Sequence, residues 1–334
     1  MSRDGRQDAR EGLKGFEPEW KDVPDYIIGI TRRIWEDRDF GSLKRYYGDD
    51  MLLRLPTGIY RGNRGALAKV LSTLSEFPDR QLLGEDVIWC PVGDDALFSS
   101  HRSLTVGTHA GAGLFGPPTG RRTAFRAIAD CYATADAITD EWVVRDYGAV
   151  ARQLGVGPRE AARLMIEEEG GHERALRPFQ PADDEPGPYA GTGNDSEWGA
   201  RYRAILQGIM DADLAIIPRE YDRACHLEYP GGTTLHSHEG ADAFWIALRA
   251  SLPSATFAVH HVLGRDDAMM PPRAALRWSL HGRHDGRGML GAPTGANVYV
   301  MGISHAEFGP WGLRREWVVI DEVSIHKQVL LASG

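Results

Sequence analysis

The chain has little that would tie it to a membrane, a nucleic acid or a common metal motif. No apolar run among its 334 residues approaches the roughly 20 needed to span a bilayer as a helix. Lys and Arg total 38 against 47 Asp and Glu, a net charge of −9, so no basic excess exists to hold nucleic acid or an anionic membrane. Cysteine is scarce: Cys90, Cys131 and Cys225 are odd in number and far apart, which excludes a disulfide framework and suits free thiols in a reducing compartment. Neither CxxC nor HExxH occurs, so the common zinc signatures are missing. The opening stretch, MSRDGRQDAREGLKG, lacks the apolar centre of a secretion signal, and a cytoplasmic location is expected.

What the chain does have is a repeat. Gly107–Gly120 reads GTHAGAGLFGPPTG and Gly282–Gly295 reads GRHDGRGMLGAPTG, a displacement of 175 residues. Over Arg102–Gly120 and Arg277–Gly295, nine of nineteen positions are identical, where unrelated segments would share about one or two. The same displacement carries Glu141-Trp142-Val143-Val144 onto Glu316-Trp317-Val318-Val319 and Asp146 onto Asp321. Upstream the offset slips by one, placing Pro56 and Gly58 on Pro230 and Gly232. The chain is read as a tandem duplication. The glycines of the motif make no phosphate loop, because the spacing is wrong and no strand-to-helix junction follows. No cofactor and no resident metal are assigned.

Hydrophobic periodicity gives both copies one order of elements. Residues 1–22 read as a loose polar arm. Tyr26, Ile27, Ile30, Ile34 and Trp35 form a helical stripe, a second short helix covers Phe40–Tyr47, and Leu52–Leu55 is a strand ending at Pro56. Asn63 is expected to cap a helix to about Phe77. Four strands follow, Gln81–Trp89, Ala96–Val106, Arg121–Tyr132 and Ile138–Asp146. In the second copy Trp198–Met210 and Asp213–Ala224 are expected as helices, Cys225–Tyr229 as a strand and His238–Leu252 as the long helix. Strands are then expected near Ala255–Leu263, Ala268–His281, Asn297–Glu307 and Leu313–Ile325. The class is α+β, with helices on one face of a mainly antiparallel sheet. The expected domains are 23–155 and 196–330, joined over 156–195 by a charged helix near Pro158–Arg177 and a linker rich in proline, glycine and acid.

This order, with Ile34-Trp35, Phe77-Pro78-Asp79, Gly107-Thr108-His109, Pro117–Arg121 and Glu141-Trp142 at their spacing, resembles the nuclear-transport-factor-2-like superfamily, and within it the SnoaL-like polyketide cyclase group. The resemblance implies two cone-shaped domains, each a bent sheet wrapped around helices with a mostly apolar pocket. It further implies a general acid/base aspartate on the penultimate strand, acting without a cofactor. The family pattern falls on Ala129–Ala133 and Ile138–Trp142, so the carry-over lands on Asp130. Here Ala133 replaces the usual arginine and Asp136 the hairpin glycine. The displacement of 175 then places His305 at the same point of the second copy.

Arg126, Ile128, Asp130 and Tyr132 alternate onto one strand face. Were that face to line an apolar hollow, desolvation would raise the Asp130 pKa and suit it to proton transfer, with Arg126 either clamping substrate or simply pairing with Asp130. His109 and His284 sit in glycine-dense loops; His109 is taken as a third catalytic candidate, the alternative being a histidine that only fixes the turn. Tyr60, Trp89 and His101 are expected around the first pocket. The second copy is rich in histidine, with His226 and Glu228, and His305 and Glu307, each sharing a strand face. These are read as substrate-binding groups around His305, or as the ligands of a metal. The favoured function is acid/base cyclisation, isomerisation or elimination/hydration of a small apolar carbonyl compound through an enolate. The alternatives are a metal-dependent lyase or hydrolase using the second copy, and a non-catalytic binding protein. The expected partner is a small-molecule substrate, with no nucleic acid and no membrane. The two copies are expected to form an internal pseudo-dimer, and a further homodimer is compatible with the sequence.

Overall fold

The fold starts from a cap. The Asp22 carboxylate accepts from the backbone N of Asp25 at 2.7 Å, and Pro24 sits in the first turn where its missing N–H costs nothing. Helix α1 (Val23–Trp35) therefore begins directly after the N-terminal arm. The computed structural model describes residues 10–135 and 137–333, so the first nine residues, Asp136 and Gly334 lie outside it. After α1 come α2 (Phe40–Tyr46), β1 (Tyr47–Leu55), β2 (Gly58–Arg61), α3 (Gly62–Glu76), β3 (Gln81–Val92), β4 (Ala96–Thr108), β5 (Arg122–Thr134), β6 (Ala137–Arg145) and α4 (Tyr147–Leu154). Helix α5 (Pro158–Glu168) leads into the linker. The order then repeats as α6 (Glu197–Met210), α7 (Ile216–Glu220), β7 (Tyr221–Tyr229), β8 (Thr233–His236), α8 (Ser237–Ser251), β9 (Thr256–Arg265), β10 (Arg273–Arg283), β11 (Asn297–Gly309), β12 (Gly312–Ile320) and α9 (Glu322–Ser333).

The two six-stranded sheets have the same strand order, β2-β1-β6-β5-β4-β3 and β8-β7-β12-β11-β10-β9. All pairings are antiparallel except β1 with β6 and β7 with β12. The chain is thus two tandem α+β domains, each a curved sheet wrapped around its own helices. Side chains alternate between the two faces of each sheet. One face packs on the domain's own helices and holds the cores. The other faces the second sheet, where Ile128 and Val144 meet Met301, Ile303 and Val319, and Ile88, Phe98 and Trp142 meet Leu263 and Ala275.

Four local expectations are corrected. The arm is not loose from Arg10 onward: Leu13, Phe16 and Trp20 are buried, and Trp20 lies over Gly29 of α1, where an added Cβ would come within 2.5 Å of its ring. The apolar run after Asp213 is helical only over Ile216–Glu220, and Tyr221 already starts β7. Strand β10 begins at Arg273, after the turn carrying Pro271 and Pro272. Asn63 gives its side-chain amide to Asp49 at 2.7 Å, and α3 has no side-chain cap. Helices α4 and α9 close the two domains, over stretches for which the sequence pattern predicts strand or loop.

Candidate active site

The inward face of the first sheet carries His101 and Ser103 from β4, Ala127 and Ala129 from β5, and Glu141, Val143 and Arg145 from β6. These are alternate positions, so one pleat aims them together. Thr31, Ile34 and Trp35 of α1 and Ala66, Lys69 and Val70 of α3 close the other side, leaving a cavity of about 70 Å³. A second compartment of about 210 Å³ adjoins it, sharing Lys69 and Arg80 and walled by Phe77, Phe115, Phe125 and Tyr147. Small side chains at Ala66, Ala127 and Ala129 make the space.

The polar groups of this hollow are unusual for a core. Glu141 is buried and accepts from the Tyr47 hydroxyl and the Cys131 thiol, each at 3.4 Å. Burial pushes its carboxyl above the ordinary range, opposed by Cys131, the Arg145 guanidinium and Tyr47. Arg80 is 4 % exposed, stacks on Trp35 at 4.3 Å, and is brought down to about 9 by burial and by Arg145. Its Nε and Nη1, the Nη1 of Arg145 and the Nε2 of His101 are buried with no hydrogen-bond partner among the described residues. His101 is brought down to about 4 by burial and Arg102, so its imidazole is neutral at pH 7. Buried donors without acceptors cost free energy unless something else supplies one. Cationic donors aimed at an apolar-walled hollow fit a bound oxyanion.

The second domain fills the same space. Trp245, Trp278 and Leu276 are fully buried there; by the repeat displacement they replace Val70, Ser103 and His101. Gly302 makes the fit possible, since a Cβ on it would meet the Trp278 ring at 2.3 Å. Glu316, the counterpart of Glu141, is held by the hydroxyls of Tyr202 (2.9 Å), Tyr221 (3.0 Å) and Tyr229 (2.6 Å). Ile320 stands where the first copy has Arg145, and Ala255 where it has Arg80.

Of the sequence-expected residues, only His101 lines the first cavity. The expectation that the Arg126–Asp130–Tyr132 face looks into the cone is corrected: Ala127 and Ala129 face the cavity, and the even-numbered positions face the other sheet. A shift of one residue along a strand moves a side chain to the opposite face. Asp130 is 2 % exposed and takes the Nε of Arg277 at 3.3 Å. His305 is fully buried between the sheets, its Nε2 2.8 Å from Ser100 Oγ and its Nδ1 3.1 Å from Arg102 Nη1. A guanidinium only donates, so Nδ1 is the acceptor and Nε2–H points to Ser100. Burial and the nearby Arg102 and Arg273 hold this imidazole neutral. Arg126 binds Glu85 and, across the domains, Glu228 at 2.8 Å. Glu228 also meets His226 at 2.7 Å, and Glu307 pairs with Arg315 of the adjoining strand at 3.6 Å. Tyr132 stacks near Tyr189, Trp89 lies under Arg265, and Tyr60 has Lys69 5.9 Å from its ring centre; none of the three lines the cavity.

His109 is buried in its loop, 3.3 Å from Glu76 and 3.1 Å from Thr119 Oγ1, and its backbone binds Arg121, Thr119 and Gly120. His284 repeats the contact to Thr294 at 3.1 Å. Among the described residues no group of three His, Cys, Asp or Glu side chains is placed to hold a metal ion. The cavity residues missed in the sequence are Arg80, Lys69, Glu141 and Arg145. Glu141 opens the repeated EWVV stretch and Arg145 directly follows it, but only the sheet register tells which of these residues turn inward.

Helices enclosed by a curved six-stranded sheet, with polar groups at the base of an apolar hollow, define the nuclear-transport-factor-2-like class. The sequence profile of the SnoaL-like polyketide cyclase family matches residues 26–154 and again residues 200–329, so the chain belongs to that family and carries its domain twice. Among solved structures, IdmH of Streptomyces antibioticus, a proposed polyketide cyclase, shares 25% identity over 40% of this chain and 98% of its own, with a TM-score of 0.35. AclR of Streptomyces galilaeus, a proposed hydroxylase, aligns at 17% identity over 40% of this chain and 80% of its own, TM-score 0.34. A SnoaL-like polyketide cyclase of Agrobacterium tumefaciens aligns at 20% identity over 40% and 97%, TM-score 0.33. No curated protein matches the chain.

Proposed function

We propose that the first domain catalyses general acid/base chemistry on a small, largely apolar carbonyl compound through an enolate, and that Glu141 is the proton carrier. The observation behind this reading is a buried carboxyl sharing one cavity with two buried guanidinium groups whose donors lack acceptors. The Glu141 carboxylate takes a proton from the carbon next to the carbonyl, and the C–H electron pair passes to the carbonyl oxygen. Arg145 and Arg80 hold the resulting oxyanion in a site with little water. The enolate carbon then attacks a second carbonyl, closing a ring, and Glu141 returns its proton to the new alkoxide. Return of the proton to a different carbon gives isomerisation instead. An elevated carboxyl pKa brings the base closer to the basicity that the step requires. The neutral His101 supplies a further hydrogen bond.

The test is α-proton exchange. A panel of β-dicarbonyl compounds is incubated in D2O with enzyme and followed by proton NMR. Wild type is expected to accelerate exchange, Glu141→Gln to slow it by about 10²–10⁴-fold, and Asp130→Asn to leave it near wild type. A Glu141→Gln protein that exchanges as fast as wild type removes the assignment.

A further inference from the structure

The contact between the two sheets is built twice, and one of its halves is open. In one half Arg102 stacks on Trp317, 3.6 Å from its ring centre. In the other, Arg277 stacks on Trp142 at 3.9 Å. Arg102 has two partners, Glu85 at 3.0 Å and His305 at 3.1 Å. At Arg277 the place of His305 is taken by Asp130, which receives the Nε. The place of Glu85 is taken by His260. Both residues are the bulged position opposite their arginine, but the His260 ring turns to Ser279 Oγ at 2.7 Å. Each arginine thus gives its Nε to one carboxylate, Arg102 to Glu85 and Arg277 to Asp130. The Nη contact that Arg102 makes with His305 has no counterpart, and the two Nη groups of Arg277 have no hydrogen-bond partner among the described residues.

Space opens at the same point. Arg126, which bridges Glu85 and Glu228 in the first half, is replaced by Met301. A cleft of about 460 Å³ results, lined by Trp142, Arg277, Tyr299, Met301 and Phe179, with His260 and His281 at the rim. That volume lies within the usual range for small-molecule sites. Phe179 and Asp184 come from the linker, so one wall of the cleft exists only because the two domains share a chain. Arg54, the other cation near Trp142, is already satisfied by Asp140, Asp184 and the Glu185 carbonyl. The spare donors belong to Arg277.

We propose that this cleft is a second binding site, distinct from the first-domain cavity, for an organic anion with a flat apolar body. The carboxylate or sulfonate takes the two Nη groups of Arg277, on the side away from the Nε held by Asp130, and the body lies against Tyr299, Phe179 and Met301. A planar guanidinium already stacked and oriented binds such a group bidentately with little loss of side-chain freedom.

Isothermal titration with 2-naphthoate and its neutral analogue 2-naphthalenemethanol tests this. Naphthoate is expected to bind, and naphthalenemethanol to bind about 10- to 100-fold more weakly, as for loss of hydrogen bonds to a charged group. Arg277→Gln combined with Asp130→Asn removes the fork without orphaning the carboxylate, and is expected to bring naphthoate down to the level of the neutral analogue. Met301→Trp fills the cleft with the ion pair intact and is expected to abolish naphthoate binding, which keeps the test available should the double variant fail to fold. Val70→Trp, which copies Trp245 of the second domain into the first cavity, is expected to leave naphthoate binding unchanged. Equal affinity for the two probes, no binding of naphthoate to wild type, or loss on Val70→Trp with retention on Met301→Trp overturns the proposal. None of these outcomes depends on proton exchange by Glu141.

Discussion

Glu141 and Glu316 occupy the same position of the repeat, and both carboxyls are raised by burial. Their neighbours set them apart. Three tyrosine hydroxyls saturate Glu316 inside a packed core, whereas Glu141 keeps one tyrosine, one thiol and the field of Arg145 at the edge of a cavity. Arg145 favours the ionised form of Glu141, so its removal leaves desolvation less opposed. Arg145→Met is therefore expected to move the rising limb of the exchange rate to higher pH by about 1 unit or more. The variant should be slowest at pH 6 and rise on the alkaline side to a plateau lowered by the loss of one oxyanion donor. A limb that stays in place or moves to lower pH would show that Arg145 does not act on Glu141. The pair was visible in the sequence only as a repeated Glu-Trp. Side-chain direction is not legible in the sequence, because a slip of one residue exchanges the two faces of a strand: the family pattern points to Asp130, while Ala129 holds the inward face.

Most elements were legible, because their apolar residues recur at the period of a helix or a strand and Gly-Pro turns separate them. The failures have a common cause. Helix α9 is buried on nearly every side, Lys327 and Gln328 included, so no amphipathic stripe marks it. Lys327 reaches Glu169 at 2.6 Å and the Gln328 amide donates to the Tyr299 carbonyl at 2.9 Å, contacts that only the assembled chain provides. The arm misled in the opposite way: its polar composition hides the anchors Leu13, Phe16 and Trp20. Trp20 packs edge-on against Tyr26 and Tyr46 with Arg33 4.5 Å from its ring centre, so the arm seals one end of the first domain. Trp20→Ala is expected to cost about 3–5 kcal/mol in denaturant unfolding. A loss within 0.5 kcal/mol, the range of an ordinary surface substitution, would mean the arm is not part of the cooperative unit.

Across the whole molecule the repeat joins the domains through buried carboxyls. Asp146 directly follows β6, caps α4 through Ala149 N at 2.9 Å, and also accepts from Gly231 N and Gly232 N of the second domain at 2.9 and 3.0 Å. Its counterpart Asp321 caps α9 through Val323 N and Ser324 N. Burial raises Asp146 to about 6 and Asp321 to about 7; the Glu322 charge pushes both further up, and Asp146 also pushes up Asp321. An unfolded aspartate titrates near 3.9, so between about pH 4 and 7 the native state binds more protons than the unfolded chain. The contribution of these groups to stability is thus greatest below the unfolded value and falls as pH rises through 6 and 7. Asn at position 321 caps a helix as well as Asp does but carries no charge to bury. Asp321→Asn is expected to be more stable than wild type at pH 8 by about 1–3 kcal/mol, and the gap should shrink as pH falls below about 7 and close only near about pH 4, where the unfolded aspartate is protonated as well. Because the other carboxyls titrate in both proteins, the difference between them isolates this one site. A gap that does not change with pH would mean that the Asp321 carboxyl is not raised, and that the seam between the domains holds ionised carboxylates throughout.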